Sequence, residues 1–275
     1  APLVQVTGDY GLFRERYGEP SQENVIEFLA FDRDYPHSIV SCLSRARENA
    51  RSVRQIISSE MWEQINTFYL MMTGVHKGLA LQVPDDFFKR IAQASHTFTG
   101  IMSATMSHGE AWHFARMGTL LERADKTSRV LDVKYFILLP TVQDVGTPYD
   151  NLQWGALLRS ASAFEMYRKR FGVISPSHVA EFLILDPEFP RSIHYCLIET
   201  ERSLHRITGS ADNAFANPAE RGLGRLRAEL IYSDIGEIIE RGLHEFLDRF
   251  QLELNQVNNS INSTFFQLAP TEGQE

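Results

Sequence analysis

Arg47, Arg51 and Arg54 fall at i, i+4 and i+7, which puts three guanidinium groups on one face of a helix, and Glu60 and Glu63 follow on the next helical stretch. A guanidinium presents paired N–H donors in one plane, so such a cluster suits the grip of a carboxylate or phosphate. The same spacing equally builds a solvated, salt-bridged face. A second concentration runs through Glu122, Arg123, Asp125, Arg129 and Asp132, where Glu122, Asp125, Arg129 and Asp132 keep i, i+3, i+7 and i+10 spacing below the small residues Ala115 and Gly118. Small residues admit a close neighbouring helix, so this stripe reads either as a buried, mutually satisfied network or as the wall of an active site. These five are the candidate catalytic residues. Glu110-Ala111-Trp112-His113 has the E-x-x-H spacing that lets an acid and an imidazole share a metal, but a di-iron bundle needs two such pairs and two further acids, and only one pair is present. No metal and no cofactor is therefore expected: G-x-G-x-x-G, P-loop, G-x-S-x-G and paired C-x-x-C patterns are all missing.

The elements that position these residues read as helices. Apolar residues at Ile39, Cys42, Leu43, Ala46, Ala50, Val53 and Ile57 recur at three-and-four spacing, and Trp62, Ile65, Tyr69, Met72, Val75 and Leu79 continue the pattern. Asp32, Ser175 and Asp186 stand where caps or turns belong, and Pro36, Pro84 and Pro190 suit first turns. No Asn-Gly or Asp-Gly pair occurs, and no run alternates as a strand would. The chain reads as all-α, with helices over about 3–17, 23–31, 36–58, 59–82, 85–106, 108–138, 150–171, 176–185, 190–208, 218–233 and 236–264, and a frayed tail after Gln267.

The chain also repeats itself at an offset of 154. Between residues 13–43 and 167–197, 14 of 31 positions are identical without a gap. The shared positions include Glu27, Phe28, Leu29, Asp32, Pro36, Ser38, Ile39 and Cys42, matched by Glu181, Phe182, Leu183, Asp186, Pro190, Ser192, Ile193 and Cys196. This predicts a helical bundle built by internal duplication around a pseudo-two-fold axis: residues 1–138 as a first unit with its Glu-Arg helix, 139–149 as a connecting loop, and 150–275 as a second unit. The second unit's opening helix follows the long helix 108–138, whereas its counterpart at 3–17 follows nothing. The expectation is a further helix upstream of Ala1, and an apolar groove beside residues 3–17 at Leu3, Val4, Val6, Leu12 and Phe13. The cysteines are repeat partners and read as two small buried hydrophobes rather than a disulfide.

Composition narrows the function. A net charge of -8 argues against nucleic acid, whose binding draws on clustered Lys and Arg. No apolar run reaches the length of a membrane span; Tyr135 to Leu139 stops at Pro140. With no leader evident, the expectation is a cytoplasmic protein without a membrane partner.

Two stretches carry a family resemblance. Ala46-Arg47-Glu48-Asn49-Ala50-Arg51-Ser52-Val53-Arg54 with Ser59 through Asn66, and Glu122 through Tyr135, resemble the bacterial alpha-E domain family, an α-helical domain with a conserved Glu-Arg motif. The likeness extends to Asp144 through Pro148 and Phe189 through Ile193. These stretches complete the candidate substrate-binding set: Arg47, Glu48, Asn49, Arg51, Arg54, Glu60, Trp62, Glu63 and Asn66. The resemblance implies a gene neighbourhood with an ATP-grasp protein and a transglutaminase-like protein, and hence ATP-dependent peptide or amide ligation. It points to an accessory or partner subunit of such a ligase system, with self-association into a homo-oligomer a further expectation. The alternative is an enzyme acting on peptides or amides through a buried Arg/Glu/Asp cluster. The residues alone leave open whether the chain is catalytic.

Overall fold

The computed structural model describes residues 2–74, 84–134, 148–212 and 214–267. Among them every regular element is a helix. The tails of two expected helices, 75–82 and 135–138, lie outside the described residues, as do most of the connecting loop expected at 139–149 and the tail after Gln267. Contacts divide the chain into two compact units, Ala1–Trp112 and His113–Glu275.

The first unit opens with α1 (Pro2–Val6), α2 (Tyr10–Tyr17) and α3 (Gln22–Ile26), which runs on into a π-helical turn at Glu27–Phe31. It continues with α4 (Ile39–Ser52), α5 (Ser59–Gly74) and α6 (Pro84–Thr105), where α5 packs on both α4 and α6. One cluster in this unit gathers Val4, Phe13, Val25, Phe28 and Tyr35. The apolar groove expected beside α1 and α2 is thus not open at Val4 or Phe13, both fully buried; only Leu3, at 64% exposed, stands out in solvent.

The long helix α7 (Glu110–Asp132) carries the chain into the second unit. There follow α8 (Pro148–Ser160), α9 (Phe164–Phe171), α10 (Pro176–Ile184), α11 (Ile193–Thr208), α12 (Pro218–Ile231), α13 (Ile235–Arg241) and α14 (Leu243–Phe265). Helix α12 packs between α11 and α14. Met117, Leu120, Leu121, Ala124 and Leu131 of α7 join the core that these helices bury, so the Glu-Arg helix, grouped by sequence with the first unit, belongs by its packing to the second. Apolar side chains at three-and-four spacing settle that membership, because burying them is the largest gain available to the helix.

Three expected helices are broken, each at a residue with positive φ. The 3–17 stretch breaks at Gly8 (φ 81), 236–264 at Gly242 (φ 106) and 150–171 at Ser162 (φ 51), a conformation that costs a residue with a β-carbon. Two starts shift for another reason. Ser38 and Ser192 cap α4 and α11 by accepting from the amides of Ser41 and Tyr195, so Pro36 and Pro190 lie in the preceding loop rather than in first turns. Pro176 and Pro218 do occupy first turns, and Pro84 and Pro148 are the first residues of their helices.

The segments that share sequence make the same local contacts. Asp32 Oδ1 accepts from the amides of Asp34 and Tyr35 while Oδ2 takes the Arg16 guanidinium; Asp186 Oδ1 accepts from Glu188 and Phe189 while Oδ2 takes Arg170. Phe28 stacks on Tyr35 at 4.0 Å and Phe182 on Phe189 at 4.7 Å, with Phe13 and Tyr167 edge-on to Phe28 and Phe182. They differ in backbone: Glu27–Phe31 is π-helical, whereas α10 stays α-helical through Ile184. They differ in cysteine burial as well, for Cys196 is buried but Cys42 is exposed, against the expectation that both are buried.

Candidate functional site

The arginine face of the first unit is already occupied by its own neighbours. Arg47 Nε donates to Asn66 Oδ1 at 2.8 Å, and its guanidinium lies over Trp62 and Tyr69, 5.6 and 5.1 Å from their ring centroids. Arg54 covers the same indole at 5.1 Å. Glu48 is shared by Arg47 and Arg51. The geometry gathers Arg47, Glu48, Arg51, Arg54, Trp62 and Asn66 into a cation–π ladder between α4 and α5, which fastens the two helices together. Asn49, Glu60 and Glu63 are exposed, and among the described residues the two glutamates make no ion pair.

On α7 the acids are largely spoken for. Both oxygens of Asp125 meet Arg129 Nε, at 2.9 and 3.0 Å, and Lys126 bridges Asp125 and Glu122. Burial works against the Lys126 charge, but Glu122 and Asp125 outweigh it and hold its pKa above the ordinary lysine value. Asp132 Oδ1 accepts from His244 Nδ1 of α14 at 2.6 Å. Glu122 is exposed. Of the five candidates, Arg123 alone makes no ion pair or hydrogen bond among the described residues.

Arg123 lines a cavity of about 150 Å³ together with Glu122, Lys126, Thr127, Ser160 and Arg191. Its walls come from α7, the end of α8, α10 through Leu183, and the loop before α11. Thr127 Oγ1 donates to the Arg191 carbonyl at 2.8 Å, which pins that loop against α7. Arg191 has no acidic partner among the described residues either. Burial first, and then the nearby positive charge of Arg123, lower its pKa below the usual arginine value. Beneath the two guanidinium groups lies the Cys196 thiol, pushed up to about 12 by burial although both arginines pull it the other way. This thiol is no nucleophile; its Sγ points to the Pro190 carbonyl at 3.8 Å. The cavity is a half-buried, doubly cationic cleft with two hydroxyl groups at its edge. An anion seated there would relieve the repulsion between the arginines and take paired N–H donors from each.

Arg191 was missed as a site residue by sequence reasoning, though a signal existed: its repeat partner is His37, and a polar position that one copy abandons is where a separate task would show. The E-x-x-H pair holds no metal cluster, as no three His, Cys, Asp or Glu side chains gather among the described residues. Trp112 within it stacks instead on His108 at 4.0 Å. No described helix is long and apolar enough to cross a membrane.

A family model, Alpha-E, described as a predicted alpha-helical domain with a conserved ER motif, matches residues 1–266. No curated protein and no solved structure matches the chain. The chain holds five Glu-Arg dipeptides, at Glu15, Glu122, Glu201, Glu220 and Glu240, and of these Glu122-Arg123 is the one that lines the doubly cationic cleft.

Proposed function

The chain belongs to the Alpha-E family, and on that premise we propose that it is an accessory subunit of a bacterial ATP-grasp amide- or peptide-ligase system, holding a substrate carboxylate between Arg123 and Arg191. One observation carries the reading: two half-buried guanidinium groups share a cleft and have no acidic partner among the described residues. Leaving cations partly desolvated and unpaired costs stability, so their retention argues for an anion from outside the chain. At about 150 Å³ the cleft is below the size of ordinary small-molecule sites and fits a terminal carboxylate with a small side chain rather than a whole nucleotide. The ATP-grasp ligase would supply the phosphoryl chemistry, with a transglutaminase-like protein as a second partner in the cytoplasm.

Calorimetric titration with a dipeptide carrying a free C-terminal carboxylate, and with the same dipeptide as its amide, tests the site. The acid should bind saturably and the amide at least about tenfold more weakly, with Arg123→Ala or Arg191→Ala abolishing the difference. Because each variant removes one of two repelling cations, its thermal midpoint should be unchanged or raised. Equal binding of acid and amide, or no association with the ATP-grasp protein at micromolar concentration, would remove the reading.

A second reading is favoured by Glu122, which lines the same cleft. In it the chain is an enzyme on peptides or amides and Glu122 moves the proton. Glu122→Gln separates the two, since binding should survive while any turnover stops. The same proposal takes residues 13–43 and 167–197 as copies of one ancestral element related by a pseudo-two-fold axis, supported by the recurrent Asp32 and Asp186 turns. An experimental superposition of the segments tests that part.

A further inference from the structure

A cavity of about 700 Å³ lies in the second unit on the far portion of α11 and is lined by His113, Arg116, Arg202, His205, Arg206 and Asp212, with the loop from Gly209 closing one side. Five of those six side chains are cationic or imidazole, in a chain of net charge -8. Behind them sits Glu199, with its side chain 9% exposed, and its two oxygens are divided between the guanidinium groups of Arg116 and Arg202. A buried carboxylate that pairs with two guanidinium groups holds both at the wall of one cavity, so part of the ordering entropy of two long side chains is spent before a ligand arrives. Arg206 follows Arg202 by one turn of α11 and has no acidic partner among the described residues. The other acid at the rim, Asp212, is fully exposed and among the described residues pairs only with His205, at 3.8 Å. A second buried acid nearby, Glu220, is engaged by Thr208, Ser210 and the Ala216 amide.

We infer that this groove binds a phosphorylated small molecule, its phosphoryl oxygens taken by Arg116, Arg202 and Arg206. Three guanidinium groups converging on one open space match a group with several oxygens and more than one negative charge, which a single carboxylate does not supply. A volume of about 700 Å³ falls within the usual range for small-molecule sites and leaves room for more than the phosphoryl group. The site is separate from the Arg123–Arg191 cleft and does not depend on the function proposed for it.

Inorganic pyrophosphate is the probe, titrated calorimetrically into the full chain at low salt, with citrate as the carboxylate counterpart of high charge. Pyrophosphate should bind saturably and at least about tenfold more tightly than citrate, and the Arg202→Ala/Arg206→Ala double variant should weaken it by more than about tenfold. Arg206→Ala alone removes an exposed side chain with no acidic partner among the described residues, so it should weaken pyrophosphate binding while keeping the parent's unfolding midpoint; Arg202→Ala also takes a partner from the buried Glu199 and should lower the midpoint. Arg123→Ala should leave pyrophosphate affinity unchanged, which separates this groove from the other cleft. No saturable binding, citrate binding as tightly, affinity retained in the double variant, or affinity lost on Arg123→Ala would each overturn the assignment.

Discussion

His244 Nδ1 lies 2.6 Å from Asp132 Oδ1, joining α14 to the last turn of α7 across 112 residues of chain. The hydrogen bond that His244 donates to Asp132 is the largest influence on its titration; burial opposes it, and the charges of Asp132, Glu245 and Asp248 add to it, so the imidazolium is held above its ordinary pKa of about 6.5. A raised folded value means that the stabilisation is complete below about pH 6.5 and is lost as pH rises through the folded value. Following the His244 ring proton by NMR should place its midpoint above 6.5, and the denaturation midpoint should fall over the same interval. Asp132→Asn should bring both back. A His244 midpoint at or below 6.5 would count against the pairing.

Lys134 Nζ sits 2.9 Å from Asp150 Oδ1 with both side chains 3% exposed, donates to Gln153 Oε1 at 2.8 Å, and lies 4.9 Å from the Trp154 ring centroid. Removing the cation takes from the buried Asp150 carboxylate the charge that offsets its desolvation. Lys134→Met should therefore cost about 3–5 kcal/mol in chemical denaturation, and Lys134→Met/Asp150→Leu should recover much of that loss. A single variant within about 1 kcal/mol of the parent would show that the pair is not buried in solution.

Asp186 and Asp32 each tie two backbone amides and one arginine at the entry to the next helix. Substitution by Asn keeps the shape but removes the charge and turns one acceptor into a donor. Each variant should lose about 1.5–3 kcal/mol, the scale for hydrogen bonds to a charged group. Equal, measurable losses in urea at the two positions would show the turns to be energetically equivalent; a neutral variant at either would break the equivalence.

The two thiols should react very differently. Cys42 is exposed, whereas Cys196 is buried with its thiol pushed up to about 12. A colorimetric thiol reagent at neutral pH should modify about one thiol per native chain and a second only after unfolding. Cys42→Ser should abolish the fast reaction. Two fast thiols in the native protein would contradict the burial of Cys196.

Much of the local structure was legible in residue spacing, because helices close their hydrogen bonds within four residues and display their buried face at 3.6-residue period. That is why Leu43, Ile65 and Met72 could be placed on apolar faces, and why Asp32 and Asp186 were readable as caps or turns. The breaks at Gly8, Ser162 and Gly242 were not legible, since neither a lone glycine nor a serine inside a periodic run announces a positive φ.

What tertiary structure alone decided is which charges meet. The sequence put Glu122, Asp125, Arg129 and Asp132 on one stripe of α7, close enough for Asp125 and Arg129 to pair at i, i+4, and showed Arg191 beside a proline, yet it could not show that Asp132 is taken by His244 or that Arg123 faces Arg191 across a cleft. Helical period is a property of neighbouring residues, whereas the partner of a charge is set by how whole helices pack their apolar faces. That packing is driven by apolar area and is indifferent to which charges it brings together.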